Sequence, residues 1–266
     1  MDKVLLITGA SAGIGTACAD RMHRRGWQVY GASRRGTSPG GWSPMVMDVD
    51  SDTSVAAGFD VLEAAGGRID AVVACAGWGL AGSVEQTHID EARAQLETNF
   101  WGAVRVVQQA LPVMRRQGHG RIVLISSIGG VLGLPFQAFY SASKFAMEGF
   151  GEALAYEVGP FGIDVTMVEP GNVQTEFTQR RRTTSAPSGE DPYSSAATKA
   201  IGVMATDEAN GAPPDAVARA VQRVLEAKRP PRRISVGKLD ERIGVIGKRL
   251  LPHRLFERAA RGSLGV

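Results

Sequence analysis

Tyr140 and Lys144 stand four residues apart in the run Tyr140-Ser141-Ala142-Ser143-Lys144. On a helix this spacing sets both side chains on one face, one turn apart. A free tyrosine has a pKa of about 10, too high for an acid/base that works near neutrality. An ammonium beside it favours the phenolate and lowers that value. Bringing it to about 7 takes roughly 4 kcal/mol, at about 1.36 kcal/mol per unit. One exposed lysine falls short of this, so a cationic cofactor ring and partial burial are expected to contribute. The chemistry on offer is proton transfer to or from an oxygen.

A second group of residues offers a phosphate cradle. Thr8-Gly9-Ala10-Ser11-Ala12-Gly13-Ile14-Gly15 follows the apolar run Val4-Leu5-Leu6-Ile7 and opens a helical pattern. In that context Gly9 makes a tight turn, Gly13 lets backbone approach a pyrophosphate, and Gly15 lets helix and strand pack closely. The diphosphate of a dinucleotide then sits on the positive helix N-terminus. The end of the second strand decides which dinucleotide. An acid there would accept a bond from a ribose 2′-hydroxyl, but this chain has Ser33-Arg34-Arg35. The Arg34 guanidinium pairs with phosphate and Ser33 adds a hydroxyl, so NADP(H) is expected over NAD(H). Asp48 and Val49, after the third strand, are expected to edge the adenine pocket.

With Ser127 thirteen residues before Tyr140, the glycine motif and the Tyr-x-x-x-Lys pair stand in a characteristic order. The chain resembles the short-chain dehydrogenase/reductase family from about residue 3 to 237. Tyr140-Ser-Ala-Ser-Lys144-Phe-Ala-Met-Glu-Gly, Pro160-Phe161-Gly162-Ile163, Glu169-Pro170-Gly171 and Gly77-Trp78-Gly79 look like its hydroxysteroid and retinol dehydrogenase branch. The resemblance implies a catalytic tetrad of Asn99, Ser127, Tyr140 and Lys144. In it Tyr140 exchanges the proton, Ser127 holds the carbonyl oxygen, and Lys144 lowers the tyrosine pKa and grips the nicotinamide ribose. Asn99 holds a water that links Lys144 to solvent, through a kink in its helix. Cofactor contacts are implied at Gly9, Ser11, Gly13, Ile14, Gly15, Ser33, Arg34, Asp48, Val49, Ala76, Gly77, Tyr140, Lys144, Pro170, Gly171, Val173 and Thr175, the last toward the nicotinamide amide. The cofactor supplies the hydride and no metal site is expected. One departure stands out: the family's Asn-Asn-Ala-Gly is Ala74-Cys75-Ala76-Gly77 here, which removes two bracing amides and predicts an effect on stability rather than activity.

These residues need a scaffold. Val4–Ile7, Gln28–Ala32, Met45–Met47, Ala71–Ala74, Arg121–Ile125, Ile163–Val168 and Arg233–Val236 read as short apolar strands. Helical patterns near 13–25, 53–65, 88–117, 138–158 and 214–228 lie between them. Such alternation predicts an α/β fold: a single Rossmann-type, doubly wound, seven-stranded parallel sheet with helices on both faces. Residues 1–237 form the catalytic domain in this reading. The polar, weakly patterned stretch 172–213 reads as a substrate lid or a disordered excursion. Residues 238–266 form a basic helical extension. Ser127, Leu132, Leu134, Phe136, Phe139 and Phe177 are candidate pocket residues, pointing to a bulky hydrophobic alcohol or ketone, although core roles fit most of them equally.

Of 266 residues, 44% are hydrophobic and 21% charged, a globular composition. No transmembrane run is present, and the apolar start is too short for a signal-peptide core. Cys18 and Cys75 read as buried thiols in a reducing, cytoplasmic setting. The net charge of +3 divides unevenly: Lys228–Arg261 carries eleven Lys/Arg against three acids, a balance of +8, which leaves −5 elsewhere. The body shows no nucleic-acid footprint. In the tail, Leu239, Ile243, Ile246 and Leu250 recur at helical spacing. Three placements are open: over the pocket or a partner subunit, free in solvent, or on an anionic membrane surface as a weak contact. The family implies a homodimer or homotetramer built on 88–117 and 138–158. Two other functions stay in view, a 3-ketoacyl reductase of fatty-acid or polyketide metabolism and a non-catalytic NADP(H)-binding sensor; the complete tetrad argues against the sensor.

Overall fold

A computed structural model describes residues 2–184 and 191–264 of the chain. Its strands are β1 (Val4–Thr8), β2 (Gln28–Ser33), β3 (Ser43–Val46), β4 (Ala71–Ala74), β5 (Leu80–Ala81), β6 (Gly120–Ile125), β7 (Ile163–Pro170), β8 (Arg182–Thr183) and β9 (Arg233–Val236). The helices are α1 (Gly13–Arg24), α2 (Asp52–Ala64), α3 (Ile89–Leu96), α4 (Gly102–Gln117), α5 (Ala138–Val158), α6 (Phe177–Arg180), α7 (Ser194–Ala209), α8 (Pro214–Glu226), α9 (Leu239–Leu250) and α10 (His253–Leu264). Seven strands form one sheet in the order β3-β2-β1-β4-β6-β7-β9, with every neighbouring pair parallel.

Alternation along the strands explains the layering. Val4 and Leu6 of β1, Val72 of β4, and Ile122 and Leu124 of β6 pack with α2, α4 and α5 on one face. Leu5, Ile7, Val73, Val123 and Ile125 pack with α1 and α8 on the other. Successive side chains of a strand point to opposite faces, and both faces here are covered, so the central strands β1, β4 and β6 are almost wholly apolar. β3 is one of the two edge strands, where Pro44 costs no ladder bond.

The sequence-based helix over 88–117 is two helices joined by a π-helical segment, Glu97–Trp101. Residues 172–213 also differ from the expected irregular stretch. They contain α6, α7, and β8, which pairs in parallel with β5. α7 buries only Ala200 and Met204, so it has almost no apolar periodicity to read. Residues 185–190 of that stretch lie outside the described residues. The tail is a helical pair, α9 and α10, with α10 packed against α7.

Candidate active site

Strand order reverses between β2-β1 and β4-β6-β7, which opens a crevice at the carboxyl ends of β1 and β4. A cavity of about 1050 Å³ occupies that edge of the sheet. It runs from the β1–α1 turn to α7 and α10.

At its glycine-lined end, Gly9 has φ +69°, and a Cβ there would lie 2.8 Å from Ala76 Cα. A Cβ on Gly15 would lie 2.3 Å from the Gly9 carbonyl oxygen. Neither position admits a side chain, so the turn stays tight against β4 and α1 starts directly above it. No side chain caps α1, and its first turn holds no acid. Its free amides therefore face the cavity as a site for an anion. Ser11, Gly13, Ile14, Asp48, Val49, Ala76 and Gly77 line this end. Thr8 is buried at the end of β1, and its hydroxyl accepts from Cys75 N (3.1 Å) and Ala76 N (3.2 Å). It braces the strand end where Ala74 and Cys75 replace two amides. Burial pushes the Cys75 thiol up to about 11.

Ser33, Arg34 and Arg35 all line the cavity. Arg35 was not among the expected contacts, yet its guanidinium donates to Ser11 Oγ at 2.9 Å. It thereby closes one wall over the glycine loop. The signal was present in the Ser33-Arg34-Arg35 triplet, but sequence cannot say which arginine turns inward. Uncapped amides, a glycine cradle and two guanidiniums suit a dinucleotide carrying several phosphates.

At the other end, β6 and β7 hold six residue pairs in register, from Gly120↔Ile163 to Ile125↔Val168. That register sets Ser127 beside Pro170, whose carbonyl accepts from Ser127 Oγ at 3.4 Å. Ser127 Oγ also accepts from Gly129 N at 3.0 Å. A Cβ on Gly129 would stand 3.2 Å from Tyr140 Cε1 and 3.4 Å from Ser127 Oγ, so the serine and the phenol converge over that glycine. Lys144 donates to the Ile125 carbonyl at 2.8 Å, with its Nζ 6.0 Å from the Tyr140 ring centre. In the π segment, Asn99 Oδ1 accepts from Trp78 N (3.0 Å), while Nδ2 donates to Trp78 O (3.0 Å) and Ser143 Oγ (3.1 Å). Asn99 and Lys144 approach each other across Gly77, where a Cβ would lie 3.1 Å from Asn99 Oδ1 and 3.8 Å from Lys144 Nζ.

The acidities differ from the sequence-based expectation. Burial pushes the Tyr140 phenol up to about 12, and the bond with Ser127 only partly offsets it. Burial pulls the Lys144 ammonium down to about 8. Burial disfavours the charged form of each group, but at about 8 Lys144 still carries its proton near neutral pH, and it does not by itself bring the phenol down toward that range. A cationic ring seated in the cavity would reverse the balance at Tyr140.

Pro170, Gly171, Val173 and Thr175 line the cavity where β7 ends, and Leu132, Leu134 and Phe177 line its apolar part. The Phe177 ring meets Tyr140 edge-on at 5.7 Å. Phe136 and Phe139 do not reach the cavity lining. Phe136 takes a left-handed φ of 58° with its carbonyl accepting from Gly82 N, and Phe139 precedes Tyr140 by one residue on α5, about 100° around the helix. Sequence reading also passed over Glu208 and Phe256. Glu208 lines the cavity and is held by Arg181 and Thr178, while Phe256, Ala259 and Ala260 bring α10 to it. A lone acid in a weakly patterned stretch gives no signal, but the i, i+3, i+4 spacing of the α10 trio does.

The fold and these groups define a dinucleotide-dependent oxidoreductase, and residues 3–186 match the model of the short chain dehydrogenase family. The chain belongs to that family. It is 38% identical over 260 residues to a 3-ketodihydrosphingosine reductase of Bacteroides thetaiotaomicron, covering 97% of both chains. It is 35% identical over 252 residues to retinol dehydrogenase 8 of Bos taurus, covering 87% of this chain and 80% of that one. A solved short-chain dehydrogenase from Streptomyces avermitilis superposes with a TM-score of 0.82 at 31% identity, over 99% of each chain.

Proposed function

We propose that this protein is an NADP(H)-dependent oxidoreductase that interconverts a secondary alcohol and a ketone on a bulky hydrophobic substrate. The carrying observation is that Ser127, Tyr140 and Lys144 meet in one cavity with an uncapped helix start and two arginines. A nicotinamide dinucleotide bound in that cavity supplies or accepts the hydride. In reduction, the Tyr140 hydroxyl donates its proton to the carbonyl oxygen, which Ser127 Oγ fixes by a hydrogen bond. In oxidation, Tyr140 takes the proton from the alcohol. Lys144 holds ribose hydroxyls and supplies the positive charge that favours the phenolate. Asn99 keeps the π segment clamped to Trp78 and Ser143 and so fixes the path from Lys144 outward.

Leu132, Leu134, Phe177 and Phe256 give the substrate end its apolar character, and α6 and α7, in the stretch 172–213, serve as the lid. This supports steroid- or retinoid-like substrates. A long-chain ketone fits the same walls, and the full-length similarity to a 3-ketodihydrosphingosine reductase supports it. Exposed Trp101, Phe145 and Tyr156 on the α4–α5 side support a homo-oligomer.

Cofactor choice is tested by Arg34→Glu combined with Arg35→Glu. Charge-assisted bonds to phosphate are worth about 1.5–3 kcal/mol, so the preference for NADPH over NADH, read as a ratio of kcat/KM, should fall about tenfold to a hundredfold. An unchanged ratio would refute the assignment.

A further inference from the structure

The face of α9 that meets solvent is its apolar face. Leu239, Ile243, Ile246 and Leu250 are 70%, 56%, 57% and 77% exposed. At 3.6 residues per turn they form one narrow stripe. The opposite side is the one packed on the protein. Val245 is buried there, Glu241 accepts from Asn172 N (3.0 Å) and Nδ2 (2.7 Å), and Lys248 donates to the Val131 carbonyl while lying 4.7 Å from the Phe145 ring centre. A helix serving only to cover the cavity would carry its aliphatic residues inward.

α10 repeats the arrangement with charge. Phe256, Ala259 and Ala260 line the cavity. Arg254, Arg258 and Arg261 share the i, i+4, i+7 spacing on the other side, and all three are exposed. Leu251 and Leu255, at the junction of the two helices, are 48% and 58% exposed. The solvent side of this pair thus offers a row of aliphatic side chains beside a row of guanidiniums.

We propose that the outer surface of α9–α10 docks on an anionic membrane surface. The aliphatic stripe sinks among the acyl chains, and the arginines pair with lipid phosphates. The sign of the charge selects this occupant. A second copy of the chain would set two strongly basic faces against each other, whereas an anionic bilayer complements both rows. Docking places the α10 wall of the cavity at the lipid. Passage of a lipophilic substrate between bilayer and cavity rests on the function proposed above; the docking does not.

The test is sedimentation of the full-length protein with vesicles of phosphatidylcholine alone and of phosphatidylcholine enriched in phosphatidylglycerol, at low and high ionic strength. Binding is expected to the anionic vesicles only, and to weaken with salt. Arg254→Glu with Arg258→Glu, or Ile243→Glu with Ile246→Glu, should each lower the bound fraction about tenfold. The melting temperature and NADPH binding should stay as in the unmodified protein. Where a glutamate pair lowers the melting temperature, Ile243→Ser with Ile246→Ser is read instead. Absence of binding to anionic vesicles overturns the proposal, as does binding that both pairs of substitutions leave intact. A change of oligomeric state in Ile243→Glu with Ile246→Glu, measured by ultracentrifugation without lipid, assigns the face to a second copy and also overturns it. Vesicle binding and carbonyl turnover are read separately, so failure of one leaves the other standing.

Discussion

Tyr140 and Lys144 are both buried on α5, and burial moves their acidities in opposite directions. Lys144 is held at about 8, below the ordinary lysine value of 10.5. Above pH 8 the folded chain sheds this proton while the unfolded chain keeps it, so stability gains from Lys144 as pH rises toward 10.5, and below pH 8 the gain is absent. Cys18 and Cys75, raised by burial from 9.0, act in the opposite sense above pH 9, because the unfolded chain ionises them first. Tyr140, held near 12, does the same above pH 10. The comparison therefore belongs between pH 8 and 9. There the unfolding free energy of the nucleotide-free protein should rise by about 1 kcal/mol relative to Lys144→Met. Denaturant melts at the two pH values measure this, and parallel behaviour of the two proteins would show that Lys144 is not the titrating group. The i, i+4 placement of the pair was legible from spacing alone. Its desolvation was not, because that depends on β6, β7 and the π segment closing around it.

The π segment carries more than a kink. Asn99 closes three hydrogen bonds there, to both backbone groups of Trp78 and to Ser143. Asn99→Ala leaves the Trp78 amide and the Ser143 hydroxyl short of partners, at a cost of about 2–3 kcal/mol. At about 2–4 °C per kcal/mol for a chain of this size, the melting temperature should fall by about 5–10 °C. A fall below about 2 °C would show that water replaces these bonds freely. The seven strands of the main sheet were legible within a residue or two because the central ones are apolar on both faces, as a doubly covered parallel sheet requires, whereas the two-residue strands β5 and β8 carry no such pattern. Strand order had no local signal, since it follows from which crossovers pack together. α7 was missed for the opposite reason to the strands: it forms a helix with hardly any buried face. The pocket residues divide in the same way. Leu134 and Phe177 reach the cavity, whereas Phe136 and Phe139 are turned from it by a left-handed residue and a helix rotation that composition does not encode.

Across the whole molecule, one edge of the sheet gathers the functional groups. The glycine-lined end is built by β1, β2 and α1, the end holding Ser127, Tyr140 and Lys144 by β6, β7 and α5, and the far wall by α7 and α10. The tail is fastened to this arrangement through Glu241, which caps α9 at Lys238 N (2.8 Å) and holds Asn172 just beyond β7. Among the described residues, no helix is long and apolar enough to cross a membrane, and the docking proposed for the basic, outwardly apolar tail is with a membrane surface. Reduction of ketones through Tyr140 in this cavity is the activity to test. The most direct measurement follows loss of reduced-nicotinamide absorbance with NADPH and NADH across steroid, retinoid, long-chain and 3-ketoacyl carbonyls, for the unmodified protein and Tyr140→Phe. We predict turnover of large apolar ketones with NADPH, lowered about 10²–10⁴-fold in Tyr140→Phe with NADPH affinity preserved. Turnover that survives Tyr140→Phe, or NADPH binding with no turnover of any carbonyl, would contradict it.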